Sequence, residues 1–285
     1  MKVAVTGASG HLGSAVIAAL KQTRGVTPIA IARSPEKANR LGVETRAGDY
    51  DDAAQLDKAF QGVEALLLVS GMAPPDERVE QHKRVIDCAK RAGVARLVFS
   101  GIGVTEAGEG FDPIQRASLA TERHLKASGV AWSIGRNSIY IEPDLEYLGN
   151  YRKAGKISNC AGEGRCAYTC RPELAIAYAN ILTEPRHEGR TYVLAGQPIT
   201  QRKLADYLNE IFGTSLKFES VPVEEYRRGR QAELGDFIGG IIAGIYEGIR
   251  KGAMDVKSDF EKVIGRPHQP PTEMIREWAA LHDVG

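Results

Sequence analysis

Residues 1–13 read MKVAVTGASGHLG, and the organisation of the chain is worked outward from this stretch. Val3, Ala4 and Val5 form a short apolar run of the kind found in a strand buried on both faces. Gly7, Gly10 and Gly13 follow in a G-x-x-G-x-x-G spacing, and Leu12, Val16, Ile17 and Leu20 then mark one face of a helix. Strand, glycine turn and helix in that order predict a phosphate site. A glycine at position 7 permits the tight turn, one at 10 lets the backbone approach a pyrophosphate, and one at 13 lets helix and strand pack closely. The helix start supplies free N–H groups and a partial positive charge. Gly7, Ser9, Gly10, His11 and Leu12 are therefore candidate contacts of a dinucleotide; the competing reading is a structural turn in some other α/β protein.

The next strand, Pro28–Arg33, bears on which dinucleotide. In this arrangement a carboxylate about 20 residues past the glycines takes the ribose 2′-OH of NAD, whereas an arginine there accommodates the 2′-phosphate of NADP. Arg33 occupies that place, with Lys37 a turn later and no acid before Glu36. A guanidinium fork matches phosphate geometry and a carboxylate would repel it, so NADP(H) is the expected cofactor. A solvated arginine at a strand end is the plainer alternative.

The alternation continues. Val43–Ala47 reads as a strand, Gly48-Asp49-Tyr50 as a loop, and Asp51 as the cap of a helix running to Phe60. Asp49 and Tyr50 are candidates for the polar edge and the face of the adenine. Leu66–Val69 is a strand ending in Ser70 and Gly71, small enough for a cofactor to pass. Asp76–Ala92 is a long helix on which His82 is either a core histidine or a pocket residue. Leu97–Phe99 ends at Ser100, Pro113–Ser128 is the next helix, and Trp132–Ile134 is a sixth strand. The expected fold is a Rossmann-type doubly wound parallel sheet over residues 1–137. Residues 138–285 should form a smaller α+β part that covers the substrate, not an independent domain. Helices are expected over Pro143–Ala154, Pro172–Thr183, Arg202–Phe212 and Glu224–Leu234, with extra strands at Tyr192–Leu194 and Leu216–Phe218. The spacing Gly240, Gly244, Gly248 with its isoleucines reads either as close helix packing or as a mobile lid over an apolar substrate.

Composition narrows the function classes. The 285 residues carry a formal net charge of +1, with 43% hydrophobic and 26% charged residues, which gives no bulk attraction to nucleic acid or anionic membrane. The longest apolar stretch, Phe237–Ile249, is broken by glycines and Glu247 and is too short to span a bilayer. No basic and apolar leader precedes the first strand, so a cytoplasmic location is expected. Cys160, Cys166 and Cys170 cluster without a C-x-x-C pair or a nearby histidine, so free thiols and no metal are expected.

On these residues the chain resembles the NmrA-like atypical short-chain dehydrogenases, and within them the bacterial NADPH-dependent quinone reductase and triphenylmethane reductase type. The resemblance runs the whole length and rests on VTGASGHLG, IARSPEKA, GDY and ALLLVSG. Further on it rests on EQH, Thr121-Glu122, the RNSIY of Arg136–Tyr140, ELA at 173–175, and HEGRTYVLAG. Ordinary members of the wider superfamily use a Tyr-x-x-x-Lys pair as acid and base; here those positions fall on Ile114 and Ser118, which cannot transfer a proton in that way. The lysine of isoflavone-reductase-like relatives is absent too. The resemblance thus implies hydride transfer to an acceptor that needs little acid catalysis, such as a quinone or another flat conjugated molecule. Catalysis is then mostly proximity, with Asn137, Tyr140 and Ser100 as the candidate polar groups. Tyr140 either meets a quinone oxygen or is a packed aromatic. The alternative is a silent NADP(H)-binding redox sensor acting through a protein partner, and a homodimer is an open expectation.

Overall fold

The computed structural model describes residues 1–102 and 112–282. Six strands alternate with helices in its first half: β1 (Lys2–Val5), α1 (His11–Lys21), β2 (Thr27–Ala32), β3 (Glu44–Ala47), α2 (Ala53–Ala59) and β4 (Ala65–Val69). They continue with α3 (Pro75–Arg91), β5 (Arg96–Ile102), α4 (Asp112–Ala127) and β6 (Ala131–Asn137). The second half contains α5 (Glu142–Glu146), α6 (Leu148–Ala154), β7 (Lys156–Asn159), β8 (Arg165–Cys166), α7 (Arg171–Thr183) and β9 (Arg190–Leu194). After these come β10 (Ile199–Thr200), α8 (Gln201–Phe212), β11 (Lys217–Ser220), α9 (Val223–Leu234), α10 (Asp236–Arg250), α11 (Phe260–Ile264) and α12 (Pro271–Leu281).

Among the described residues, seven strands form one sheet in the order β3-β2-β1-β4-β5-β6-β9, and every pairing in it is parallel. The direction of strand addition reverses between β1 and β4, and the crevice at the carboxyl ends of those two strands is where such sheets bind ligands. Period-2 alternation assigns the faces. Val3, Val5, Ala30 and Leu67 pack with Val16 and Ile17 of α1 and with Leu174 and Ile181 of α7. Ala4, Ile29, Leu66 and Phe99 pack on the opposite side with Leu56, Val85 and Leu125. A third core, including Leu145, Tyr168, Leu204 and Met274, holds the second half together.

Three details differ from the sequence expectations, and a fourth settles between two of them. The sheet has a seventh strand, β9, so the strand expected at Tyr192–Leu194 belongs to the main sheet beside β6. Asn137 is where the chain first leaves the sheet, and α7 and β9 return to it. Asp52, not Asp51, caps α2 by accepting from the Gln55 N–H at 3.0 Å; Asp51 instead meets Arg84 and Gln81 of α3. The helix expected over Pro143–Ala154 is two helices, α5 and α6, meeting at Tyr147. The glycine-rich segment is an ordinary helix, α10, and its tightest contact with α9 is at Gly239, where a Cβ would sit 2.4 Å from the Arg230 carbonyl carbon. Gly240 has room, its nearest neighbour being Gln231 Nε2 at 3.9 Å.

Candidate functional site

The turn after β1 is held by its backbone. Gly7 has φ +59°, the Ala8 N–H donates to the Ile31 carbonyl at 3.0 Å, and the Gly10 N–H donates to the Gly7 carbonyl at 3.0 Å. Gly10 is the N-cap of α1 and offers no side chain to the helix amides; the first turn contains no acid. The amides of His11 and Leu12 therefore begin the helix with nothing of its own opposing an anion, the Gly10 N–H being taken by the Gly7 carbonyl. Arg33 and Lys37 lie exposed just beyond β2, and the Arg40 guanidinium donates to the Ser9 carbonyl at 3.4 Å. Sequence reading missed Arg40, which brings a third cation to the same turn. These residues fit a dinucleotide whose ribose phosphate is met by guanidinium and ammonium groups.

Asp49 Oδ1 accepts from the Asp51 N–H at 3.1 Å, which shapes the loop after β3. The hydroxyl of Tyr50 points inward, 2.5 Å from Thr6 Oγ1 and 2.8 Å from the Val69 carbonyl, and burial raises its pKa well above the ordinary phenol value. Its oxygen ties the ends of β1 and β4 together, and only the ring remains for an adenine.

At the end of β4 the Ser70 N–H donates to Ser100 Oγ at 3.1 Å and the Gly71 N–H to His82 Nε2 at 3.1 Å. Thr121 gives its proton to the Ala117 carbonyl, so at His82 it accepts: Nδ1–H donates to Thr121 Oγ1 across 2.9 Å. Both ring nitrogens of His82 are thus assigned, as neutral imidazole with the proton on Nδ1. Burial, with the nearby Arg78 charge, pushes its pKa down to about 3. The side chain is fully buried, so His82 is no pocket residue but a strut between α3, α4 and the loop carrying Ser70 and Gly71. Ser100 is buried as well, and its hydroxyl oxygen serves that same loop.

At the end of β6 the structure brings together three groups. Asn137 Oδ1 accepts from the Tyr178 hydroxyl at 2.6 Å, and Asn137 Nδ2 donates to Tyr140 Oη at 3.0 Å. The amide is fixed at both ends, and because Tyr140 Oη accepts from it, the Tyr140 proton is left to donate elsewhere. Burial pushes the Tyr140 pKa up to about 12, so the group stays protonated across the neutral range. Tyr178 comes from α7, and sequence reading missed it; on the helix it is one more apolar position. It requires Gly135 opposite, where a Cβ would lie 2.5 Å from its hydroxyl oxygen.

The two positions of the absent acid–base pair are buried. Ser118 Oγ accepts from the Ile102 N–H at 3.2 Å, and Ile114 packs in the core of the second half. One turn on, Glu122 is gripped by Arg136 through Nε and Nη2, both at 2.9 Å, which locks α4 to β6. All four cysteines are free and buried; burial pushes the Cys88 and Cys160 thiols up to about 11. No group of three His, Cys, Asp or Glu side chains among the described residues is placed to hold a metal ion. No described helix is long and apolar enough to cross a membrane.

Comparison with known proteins bears on the same crevice. Residues 7–161 match the family described as NAD(P)H-binding. The chain belongs to that family. It is 33% identical over 282 residues to quinone oxidoreductase 2 of Escherichia coli, covering 96% of this chain and 97% of that one. Among solved structures, the triphenylmethane reductase of Citrobacter sp. complexed with NADP(H) superposes with a TM-score of 0.90 at 35% identity, covering 97% of this chain and 99% of its own. The NADPH-dependent quinone oxidoreductase of Escherichia coli complexed with NADPH superposes with a TM-score of 0.89 at 31% identity, over 97% and 99% of the two chains. The resemblance to NmrA-like reductases drawn from the motifs stands, and the chain is an NAD(P)H-dependent oxidoreductase of this type.

Proposed function

We propose that the protein reduces a flat conjugated acceptor, a quinone or a similar molecule, with NADPH as hydride donor. The Asn137–Tyr140–Tyr178 constellation beside positions 114 and 118, which hold no acid or base, carries this reading. When bound, the cofactor supplies the hydride. The chain's own residues bind, orient and donate one hydrogen bond. The amides of His11 and Leu12 hold the pyrophosphate, with Gly10 letting the backbone come close, while Arg33 and Lys37 meet the ribose 2′-phosphate and favour NADPH over NADH. Ser70, Gly71 and Ser100 border the path of the cofactor along the ends of β4 and β5.

Tyr140 donates its hydroxyl proton as a hydrogen bond to an acceptor oxygen and keeps that proton. With a pKa near 12 it orients and polarises, and it is poorly matched to full proton transfer at neutral pH. An alcohol–ketone reaction would demand that transfer; a quinone does not, since water completes the quinol afterwards. Asn137 aims Tyr140 and is itself held by Tyr178. The segments after Asn137 that do not return to the sheet cover the acceptor at its carboxyl edge. The relatives matched above are named as reductases, and no observation favours a silent sensor. The test is NADPH consumption by the purified protein against a panel of quinones and cationic dyes. Turnover that falls in Asn137→Ala and Tyr140→Phe is the expected result; tight NADPH binding with no turnover on any acceptor overturns the reading.

A further inference from the structure

Several arginines of this chain are matched with a carboxylate. Arg136 is forked to Glu122, Arg227 to Glu247 at 2.7 Å, Arg171 to Glu146 at 3.0 Å, and Arg266 to the buried Glu173 at 2.6 Å. Arg78 is the one arginine among the described residues that is buried, and it has no carboxylate. It is 5% exposed, and its one acceptor is the Ala73 carbonyl, reached by Nε at 3.0 Å. Among the described residues its four Nη hydrogens have no acceptor and no carboxylate pairs with it; burial lowers its pKa. Its Nη atoms are not among the fully buried atoms without a partner, so the fork reaches solvent from a largely buried stem and is open to a ligand oxygen. Its planar fork suits an oxygen carrying negative charge.

The placement of Arg78 names that oxygen. Helices α3 and α4 follow adjacent parallel strands and so run side by side in the same direction. Their register is fixed by His82 Nδ1 on Thr121 Oγ1 at 2.9 Å and by His124 Nε2 on Asp87 Oδ1 at 2.8 Å. Arg78 lies one turn before His82 on the same buried face, level with the turn of α4 that precedes Thr121 and contains Ser118. Its own anchor, Ala73, is in the loop that Ser70 and Gly71 begin at the end of β4. The cation thus stands at the carboxyl edge of the sheet, level with Ser118, the position at which ordinary members of the wider superfamily carry a lysine.

We propose that Arg78 holds the acceptor's oxygen and stabilises the negative charge that hydride addition places on it, in place of the missing lysine. This rests on the reductase reading. In the step, the hydride passes with its two electrons from the reduced nicotinamide to the quinone, which becomes a hydroquinone monoanion. Arg78 keeps all its protons and pairs with the new oxyanion, and a proton from water then completes the quinol. Oxidised cofactor and quinol leave.

The test uses protein saturated with NADP+ and two probes titrated by calorimetry: lawsone, a hydroxynaphthoquinone that is an anion at neutral pH, and neutral menadione. Arg78→Met should weaken lawsone about 10- to 100-fold, as expected for a lost charge-assisted hydrogen bond, with menadione nearly unchanged. Its kcat/KM for menadione should fall by about 100-fold, the loss seen when one donor to a developing oxyanion is removed. Arg78→Lys keeps the charge and should recover part of both, which guards against a folding defect in the methionine variant. Equal loss for both probes, an unchanged kcat/KM, or weakened NADPH binding each overturns the proposal; the last would assign the guanidinium to the cofactor's phosphates. Menadione turnover by the wild-type protein is the separate control: its absence sinks the reductase reading and the catalytic role of Arg78 with it, whereas turnover that survives Arg78→Met sinks this proposal alone.

Discussion

Replacing Gly13 by alanine tests whether the turn after β1 is the phosphate site. The added Cβ would lie 2.4 Å from the Gly7 carbonyl oxygen and 2.9 Å from Ala8 Cα, and both are backbone atoms. No rotamer relieves such a contact, because the turn is pinned to β2 through Ala8 N–H on the Ile31 carbonyl at 3.0 Å. The start of α1 must therefore move outward by roughly 1 Å to restore ordinary contact distances. Overpacking of this kind costs about 1–3 kcal/mol, and the better helix propensity of alanine offsets up to about 1 kcal/mol. A net loss of about 1–2 kcal/mol lowers Tm by only a few degrees in a chain of this size. Cofactor affinity should suffer more. The amides of His11 and Leu12 move with the helix, and losing one charge-assisted hydrogen bond to a phosphate costs about 1.5–3 kcal/mol, or roughly 10- to 100-fold in Kd. Titration of NADPH fluorescence measures it directly. Gly229→Ala is the matched control: in α9, with nothing within 4 Å of the added Cβ, it should leave NADPH binding unchanged. There it should also raise stability by about 0.5–1 kcal/mol. A folded Gly13→Ala protein that binds NADPH as tightly as the wild type would refute the assignment of this turn.

Arg33→Ala should weaken NADPH about 10- to 100-fold while leaving NADH almost untouched, because only NADPH offers the phosphate; equal losses in parallel titrations would remove Arg33 from the site. His82 has a folded pKa near 3 against about 6.5 unfolded, so the unfolded chain binds more protons between those values and stability falls as pH drops through that window. The slope from this group approaches about 1.4 kcal/mol per pH unit, and thermal melts of His82→Gln between mildly acidic and neutral pH should show a shallower decline; identical slopes would contradict the buried neutral strut. All four cysteines are buried with raised pKa values, so the native protein should react slowly with an aromatic disulfide reagent and rapidly once denatured. Prompt reaction of a native thiol would point to an accessible, activated cysteine.

How much was legible depends on the range of the interaction. The turn of Gly7, Gly10 and Gly13 was readable because its geometry is set by neighbours a few residues apart and only glycine meets it. The alternating strands and helices were readable for the same reason, through periodicities of two and 3.6 residues. Arg33 and Lys37 follow β2 directly, so their place beside the turn needed only the order of the elements. Helix boundaries were less secure: between Asp51 and Asp52 the cap was decided by α3, whose Arg84 and Gln81 draw Asp51 away.

The sequence by itself determined the doubly wound sheet, the glycine turn after β1 and the loss of the acid–base pair at Ile114 and Ser118, since each is local or a matter of residue identity. Tertiary structure alone decided which polar groups remain available. It turned the Tyr50 hydroxyl into the sheet, made His82 a strut, and brought Tyr178 from α7 to hold Asn137. It also returned β9 to the sheet's edge and left Arg78 buried without a carboxylate. These outcomes depend on pairings between residues tens of positions apart, which carry no periodic signature along the chain. A side chain's partner is set by the packing of whole elements, and with it the charge and the free proton that chemistry uses.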